Sequence, residues 1–246
     1  VGRWQHRPFL RSGERCLVES RDKILSLLNI TVFLAMVVVN ALANSLPIAG
    51  KTTGELSAQY PNLFVPAGFT FSIWGLIYLL LFCFIIYQAR SIFSSIKNIS
   101  LLHDKISYLF FLSCLLNIAW IFSWHLEFVL LSVVIMLLLL LTLIIIYLRL
   151  NIGKEEANPY KKLFVHIPFS IYLGWISIAT IANITAFLVS INWNQFGMSE
   201  EFWFVALLTI SIILALVVLY RHKDFFFTLV VAWALIGIFA KHLINL

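Results

Sequence analysis

The groups that run acid–base, metal and redox chemistry are scarce where this chain is apolar. All eleven carboxylates, from Glu14 to Asp224, fall in connecting segments or at the ends of apolar runs. That excludes the usual equipment of a proton-coupled transporter or an intramembrane acid–base enzyme. Cys16, Cys83 and Cys114 are scattered, with no CxxC pair and no disulfide framework. His103, His125, His166, His222 and His242 also stand at run ends without paired spacing, so no metal ligands are expected. No Ser-His-Asp or Cys-His set can be assembled at one depth, and no catalytic residue is assigned. Charged residues are only 11% of the chain.

Apolar residues make up 62% of the 246, and the mean hydropathy is +0.98. A soluble domain could not bury that much apolar surface. The runs are continuous and close to the ~20 residues that cross a bilayer, not the alternating ten-residue segments of a barrel. The expected fold is therefore all-α, a polytopic transmembrane bundle of seven spans. The first runs from about Ile24 to Pro47, the second from Pro66-Ala67-Gly68 to near Arg90, the third from about Ile106 to Trp124. The fourth is VLLSVVIMLLLLLTLIIIYL, apolar all round and so expected to face lipid over much of its surface. Asn158-Pro159 starts the fifth, Ser199-Glu200-Glu201 caps the sixth, and Asp224 opens the seventh.

The net charge of +6 is distributed as a membrane face rather than as a nucleic-acid site, and no nucleic-acid partner is expected. Residues 1–23 form a basic arm lying near anionic headgroups. With the N-terminus cytosolic, that arm and three connectors hold 15 of the 17 Lys and Arg, leaving Lys51 and Lys241 opposite. The orientation expected is N-terminus in, C-terminus out. With no signal-peptide core in the arm, a bacterial inner membrane is favoured. Lys241 lies too near a span end, and lacks a counter-ion, to serve as a retinal-type Schiff base; it is read as snorkelling to the interface.

Three apolar segments carry aromatic or amide stripes at helical spacing: Phe71, Trp74 and Tyr78; Asn117, Trp120 and Trp124; Tyr172, Trp175, Ala179 and Asn183. They are either walls of one pocket or surfaces for helix packing. Gly75, Gly174 and Ala179 leave room for a flat ligand or a close helix. Asn40 and Asn44 share one face of the first span and are read as interhelical hydrogen-bonding groups. The loop Ile48 to Val65 contains Thr52-Thr53-Gly54-Glu55, a capping box opening a short helix that forms a lid. Pro168 is expected to kink the fifth span near the stripe of Trp175.

These residues resemble the TspO family of tryptophan-rich sensory proteins, which includes the mitochondrial translocator protein. The family pattern Pro-Pro-Gly-Trp-Val-Phe-Gly-x-x-Trp-x-x-x-Tyr is matched by VPAGFTFSIWGLIY at Pro66, Gly68, Phe71, Trp74 and Tyr78. Leu-Asn-x-x-Trp is matched at Leu116, Asn117 and Trp120, and Tyr-x-x-Trp-x-x-x-Ala-x-x-x-Asn at Tyr172, Trp175, Ala179 and Asn183. The resemblance covers about Ile24 to Ile191. It implies a five-helix core over residues 24–192, often dimeric, that binds porphyrins and other hydrophobic ligands under the first loop; the two spans in 193–246 follow that shared core and make this a divergent, extended member. Ala67 replaces the second proline and Phe69 a tryptophan.

The site residues implied are Phe71, Trp74, Tyr78, Asn117, Trp120, Tyr172, Trp175, Ala179 and Asn183. No cofactor is required; the ligand implied is a porphyrin or similar tetrapyrrole. The leading reading is a membrane receptor or sensor for a flat hydrophobic molecule, without turnover. A non-enzymatic carrier and a structural membrane subunit are the alternatives, and light-dependent porphyrin breakdown enters by family analogy alone. Expected partners are the lipid bilayer, a hydrophobic small molecule, and a homodimer mate or another membrane protein.

Overall fold

The structure, a computed structural model, describes residues 12–45, 50–93, 97–154 and 157–244. Among these there is no strand, and seven helices are long and apolar enough to cross a bilayer. The elements are α1 (Ser12–Ser45), α2 (Thr53–Ala58), a 3₁₀ turn (Gly68–Ser72), α3 (Ile73–Phe93), α4 (Lys97–His125) and α5 (Val129–Arg149). Then follow α6 (Pro159–Lys161), a π turn (Lys162–His166), α7 (Ile167–Ser190), α8 (Glu200–His222) and α9 (Phe225–Ile244). The all-α seven-span bundle expected from hydropathy is the fold observed. From Ser12 the expected basic arm is already helix, continuous with the first span; residues 1–11 and the Pro47 and Ile48 boundaries lie outside the described residues.

Helix α1 packs on α3 and α4, α4 on α5, α5 on α7, and α7 back on α3, which closes five helices into a ring around one interior. The α1–α4 seam explains the order. Asp22, Ser26, Asn29, Phe33, Met36, Asn40 and Ala43 alternate steps of four and three along α1 and are all buried. His103, Ile106, Phe110, Ser113, Asn117, Trp120 and Trp124 do the same along α4. A 3.5-residue repeat keeps two helices in contact along their length, and polar members of it hydrogen-bond across the seam instead of meeting hydrocarbon. Ser26 Oγ lies 3.1 Å from His103 Nε2, and Asn40 Nδ2 donates to Asn117 Oδ1 at 2.7 Å. Asn40 thus makes the interhelical bond expected of it, whereas Asn44 Nδ2 donates within α1, to Asn40 O at 2.9 Å. At the basic end Arg21 holds both Asp22, at 2.9 Å, and Asp104, at 2.6 Å. Phe84, Phe110 and Phe169 fill the adjacent interior, with centroids 5.0 to 6.1 Å apart.

Helix α5 wedges between α4 and α7 and buries Ser132, Met136, Leu139, Leu143 and Ile146 there, while Leu130, Val134, Leu137, Leu141 and Leu148 stay exposed, so it faces lipid over much of its surface as expected. One expectation is corrected. The break in the fifth span lies before Pro168, in the π turn Lys162–His166, and not beside Trp175. A turn hydrogen-bonded to the fifth residue accommodates the missing proline N–H and the ring's clash with the preceding turn.

The last two helices stand outside the ring: α9 packs on α7, and α8 packs on α9. Asp224 fixes the start of α9. Its Oδ1 accepts the N–H groups of Phe226 and Phe227, at 3.1 and 3.2 Å. Its Oδ2 accepts the Tyr147 hydroxyl at 2.8 Å and the Ser170 hydroxyl. Farther along, Gly174 and Gly237 allow backbone approach. A Cβ on Gly174 would lie 3.1 Å from Phe227 O, and one on Gly237 would fall on the buried Thr70 side chain. There Ala67 N–H donates to Gly237 O and Trp233 Nε1–H to Thr70 O, both at 3.0 Å, so α9 holds the 3₁₀ turn. Phe69, where the family pattern has tryptophan, packs edge-on to Trp233 at 5.7 Å.

Helix α2 forms as its capping box requires. Thr52 Oγ1 accepts the Glu55 N–H at 3.3 Å, and the Glu55 carboxylate accepts the Thr52 N–H at 2.7 Å. The same two Thr52 groups hold the Glu55 carboxyl below its ordinary value of 4.5.

Replacing Gly237 by Val is expected to cost about 1–3 kcal/mol through overpacking against Thr70, read as a lower Tm in detergent. Gly75→Ala, where a Cβ meets nothing within 4 Å, is expected to hold or raise Tm. Because the Glu55 pKa is depressed by folding, its support of α2 is present above the unfolded value and lost as pH falls through the folded one. Hydrogen exchange of the α2 amides is expected to speed up selectively below about pH 4, and Glu55→Gln to remove that pH dependence.

Candidate functional site

The three stripes meet at Trp74. Its ring stacks on Tyr78 at 5.5 Å, lies 6.0 Å from Trp120, and meets Tyr172 and Trp175 edge-on at 6.1 and 6.2 Å. Phe71 belongs to the 3₁₀ turn and not to the helix proper, but its ring still packs edge-on to Trp175 at 5.9 Å. Trp120 stacks on Trp124 at 6.2 Å, and Tyr60 from the first loop covers Trp124 at 5.8 Å. Convergence of aromatic side chains from three helices builds one interlocked cluster, with preferred edge-on and offset contacts throughout.

The amides of the stripes are occupied by protein. Asn117 accepts from Asn40 and donates to the Tyr172 hydroxyl at 3.2 Å. Asn183 Oδ1 accepts Trp120 Nε1–H at 3.0 Å, and its Nδ2 donates to Ser132 Oγ at 2.9 Å. These two sets of bonds, separated by eleven residues along α7, tie α1, α4, α5 and α7 together, which explains the residue types without a ligand.

Two spaces flank the cluster. Between the stripes lies a void of about 40 Å³, lined by Phe71, Trp74, Trp120, Trp175, Ala179 and Asn183 and closed by Thr53 and Ser57 of α2. It has room for one or two waters and no more. Trp175 Nε1 and Thr53 Oγ1, both buried on its lining, have no protein hydrogen-bond partner among the described residues. The second space is a cleft of about 930 Å³ on the opposite side of Trp74. Its walls are Val37, Asn40, Ala41 and Asn44 of α1, and Phe71, Ser72, Trp74, Gly75 and Tyr78 at the start of the second span. Thr52 to Glu55 and Ala58 of α2 cover it, Pro66 to Gly68 form its end, and Lys241 of α9 reaches it. Its mouth runs between the exposed Ala41 of α1 and the exposed Ser72 and Gly75 of the second span.

The expected site residues therefore separate. Phe71 and Trp74 border both spaces, and Tyr78 borders the cleft. Trp120, Trp175, Ala179 and Asn183 border the small void. Asn117 and Tyr172 border neither and serve the hydrogen-bonded bridge behind them. The contribution of α1 to the cleft was missed; Val37, Asn40 and Asn44 at i, i+3 and i+7 were its signal. Gly174 is taken by α9, whereas a Cβ on Gly75 meets nothing within 4 Å and faces the cleft.

The first loop covers both spaces, as a lid would. Lys51 pairs with Glu127 at 3.1 Å, an exposed contact worth little by itself. The Trp124 indole N–H donates to Thr53 O at 3.4 Å, the Leu63 N–H to Glu200 at 2.9 Å, and the His242 ring lies 2.9 Å from Leu63 O. Partial burial, with the Glu127 carboxylate nearby, pushes the Tyr60 hydroxyl above its ordinary value. Among the described residues no cluster of His, Cys, Asp and Glu has the arrangement of a metal site.

A family model described as TSPO-like protein matches residues 26–245, all seven spans and not only the five of the ring. No curated protein and no solved structure matches. With the match running from the first span to the end of the last, this chain belongs to the TSPO-like protein family.

Proposed function

We propose that this membrane protein binds a flat, hydrophobic small molecule, of which a tetrapyrrole is the type, in the cleft between α1 and α3 beneath α2, without turnover. The observation that carries the reading is the contrast in room. The cleft, at about 930 Å³, falls at the upper end of the ~300–1,000 Å³ common for small-molecule sites, whereas the space between the stripes is about 40 Å³. One face of the cleft offers the Trp74 and Tyr78 rings and the other Val37, Ala41 and Asn44 of α1, with the Asn40 N–H groups committed to Met36 O and Asn117, a lining suited to a planar body with few polar groups.

In this reading Trp74 is the contact through which the ligand is felt by the rest of the bundle, as befits a receptor or sensor. A mouth between two membrane helices favours exchange with the hydrocarbon phase, and that supports a carrier as the second reading. Net flux of ligand across liposomes separates the two. By the excess of basic residues at the other end of the bundle, the cleft faces the leaflet away from the cytosol.

Quenching of tryptophan fluorescence by protoporphyrin IX is expected to saturate with the wild-type protein in detergent. Gly75→Leu, which adds a side chain at the mouth, is expected to weaken binding tenfold or more, while Ala179→Leu, on the small void, leaves it unchanged. The reverse pattern would move the ligand to the space between the stripes. Quenching that never saturates would remove the ligand-binding reading.

A further inference from the structure

The last helix brings a cation to the cleft. Helix α9 is held against the 3₁₀ turn through Gly237 and Trp233, and Lys241 lies one helical turn beyond Gly237. Its side chain lines the end of the cleft beside Pro66, Ala67 and Gly68. Among the described residues no ion pair or hydrogen bond engages it, whereas Lys51, on the same loop side, is paired with Glu127 at 3.1 Å. Glu55 is the other charged group on the cleft, and both its backbone and side-chain contacts are to Thr52 within the cap of α2. A half-buried ammonium beside an apolar chamber has lost part of its hydration, and an anion delivered there would compensate it.

The geometry points to a hydrophobic carboxylic acid as the ligand class, with Lys241 as the partner of the carboxylate; this rests on the ligand-binding reading of the cleft. The cleft is polar at one end and ring-lined along its length, from Gly68 to Tyr78, roughly 15 Å along the helix axis. A molecule with an apolar body and an acid at its edge fits that order: body against Trp74, Tyr78 and Val37, acid at Lys241. The seventh span then contributes directly to recognition, beyond its role in packing.

The test compares protoporphyrin IX, a dicarboxylic acid, with its dimethyl ester, titrated into the full-length protein in an uncharged detergent. Wild type is expected to bind the acid about tenfold more tightly than the ester. Lys241→Gln should bring the acid to the level of the ester and leave the ester where it was; Lys241→Arg should keep the preference. Equal affinity of wild type for acid and ester, or equal weakening of both by Lys241→Gln, would overturn the assignment of Lys241 while leaving the cleft as the site. If neither probe saturates, or if Gly75→Leu affects neither, the cleft reading fails, and the carboxylate assignment fails with it.

Discussion

An amide cannot remain unpaired in hydrocarbon, and this bundle is arranged around that constraint. Asn40 on α1, Asn117 on α4 and Tyr172 on α7 form one chain of hydrogen bonds across the interior. Asn183 on α7, Trp120 on α4 and Ser132 on α5 form another. Between them the two chains specify which helices face each other and in what rotation, something apolar contact in lipid leaves loosely determined because lipid tails are as apolar as Leu. The aromatic cluster centred on Trp74 occupies the space these chains frame. Its tight filling leaves only about 40 Å³ between the stripes, and the larger space lies toward α1.

How much of this was legible follows from how local each determinant is. The spans could be read because burial in lipid needs a continuous apolar run, and the caps at Thr52, Asn158 and Ser199 because each joins atoms three residues apart. The meeting of the stripes was legible from spacing and motif order. The room left between them was not, because volume depends on how rings from separate helices interlock. Gly75 and Gly174 make the same point: both are small residues on aromatic helices, yet one faces a cleft and the other the backbone of α9, more than fifty positions later in the chain. The burial of Asp224 escaped for a similar reason. A carboxylate at a helix start reads as a cap, and only the tertiary fold adds Tyr147 and Ser170 to it.

The two helices beyond the ring alter the meaning of the five-helix core. Through Gly237, Trp233 and His242, α9 grips the 3₁₀ turn and the first loop, the segments that roof the interior. A core without α9 would leave the Ala67 N–H without its partner Gly237 O. Helix α8 has little of its surface buried and contacts chiefly α9, so it steadies α9 without shaping the interior. The family match likewise spans all seven helices, the outer pair together with the ring.

The π turn at Lys162–His166 has a consequence for how this protein can change over generations. Such a turn accommodates about one residue more than an α-helix would at the same rise, and each residue of an α-helix advances its face by roughly 100°. Deleting one residue from the turn would bring Phe164 and its stacking partner Tyr87 out of phase while Tyr172, Trp175 and Asn183 kept their bearing. A change of length at this point is thus insulated from the ring cluster, whose α7 members all lie beyond the turn.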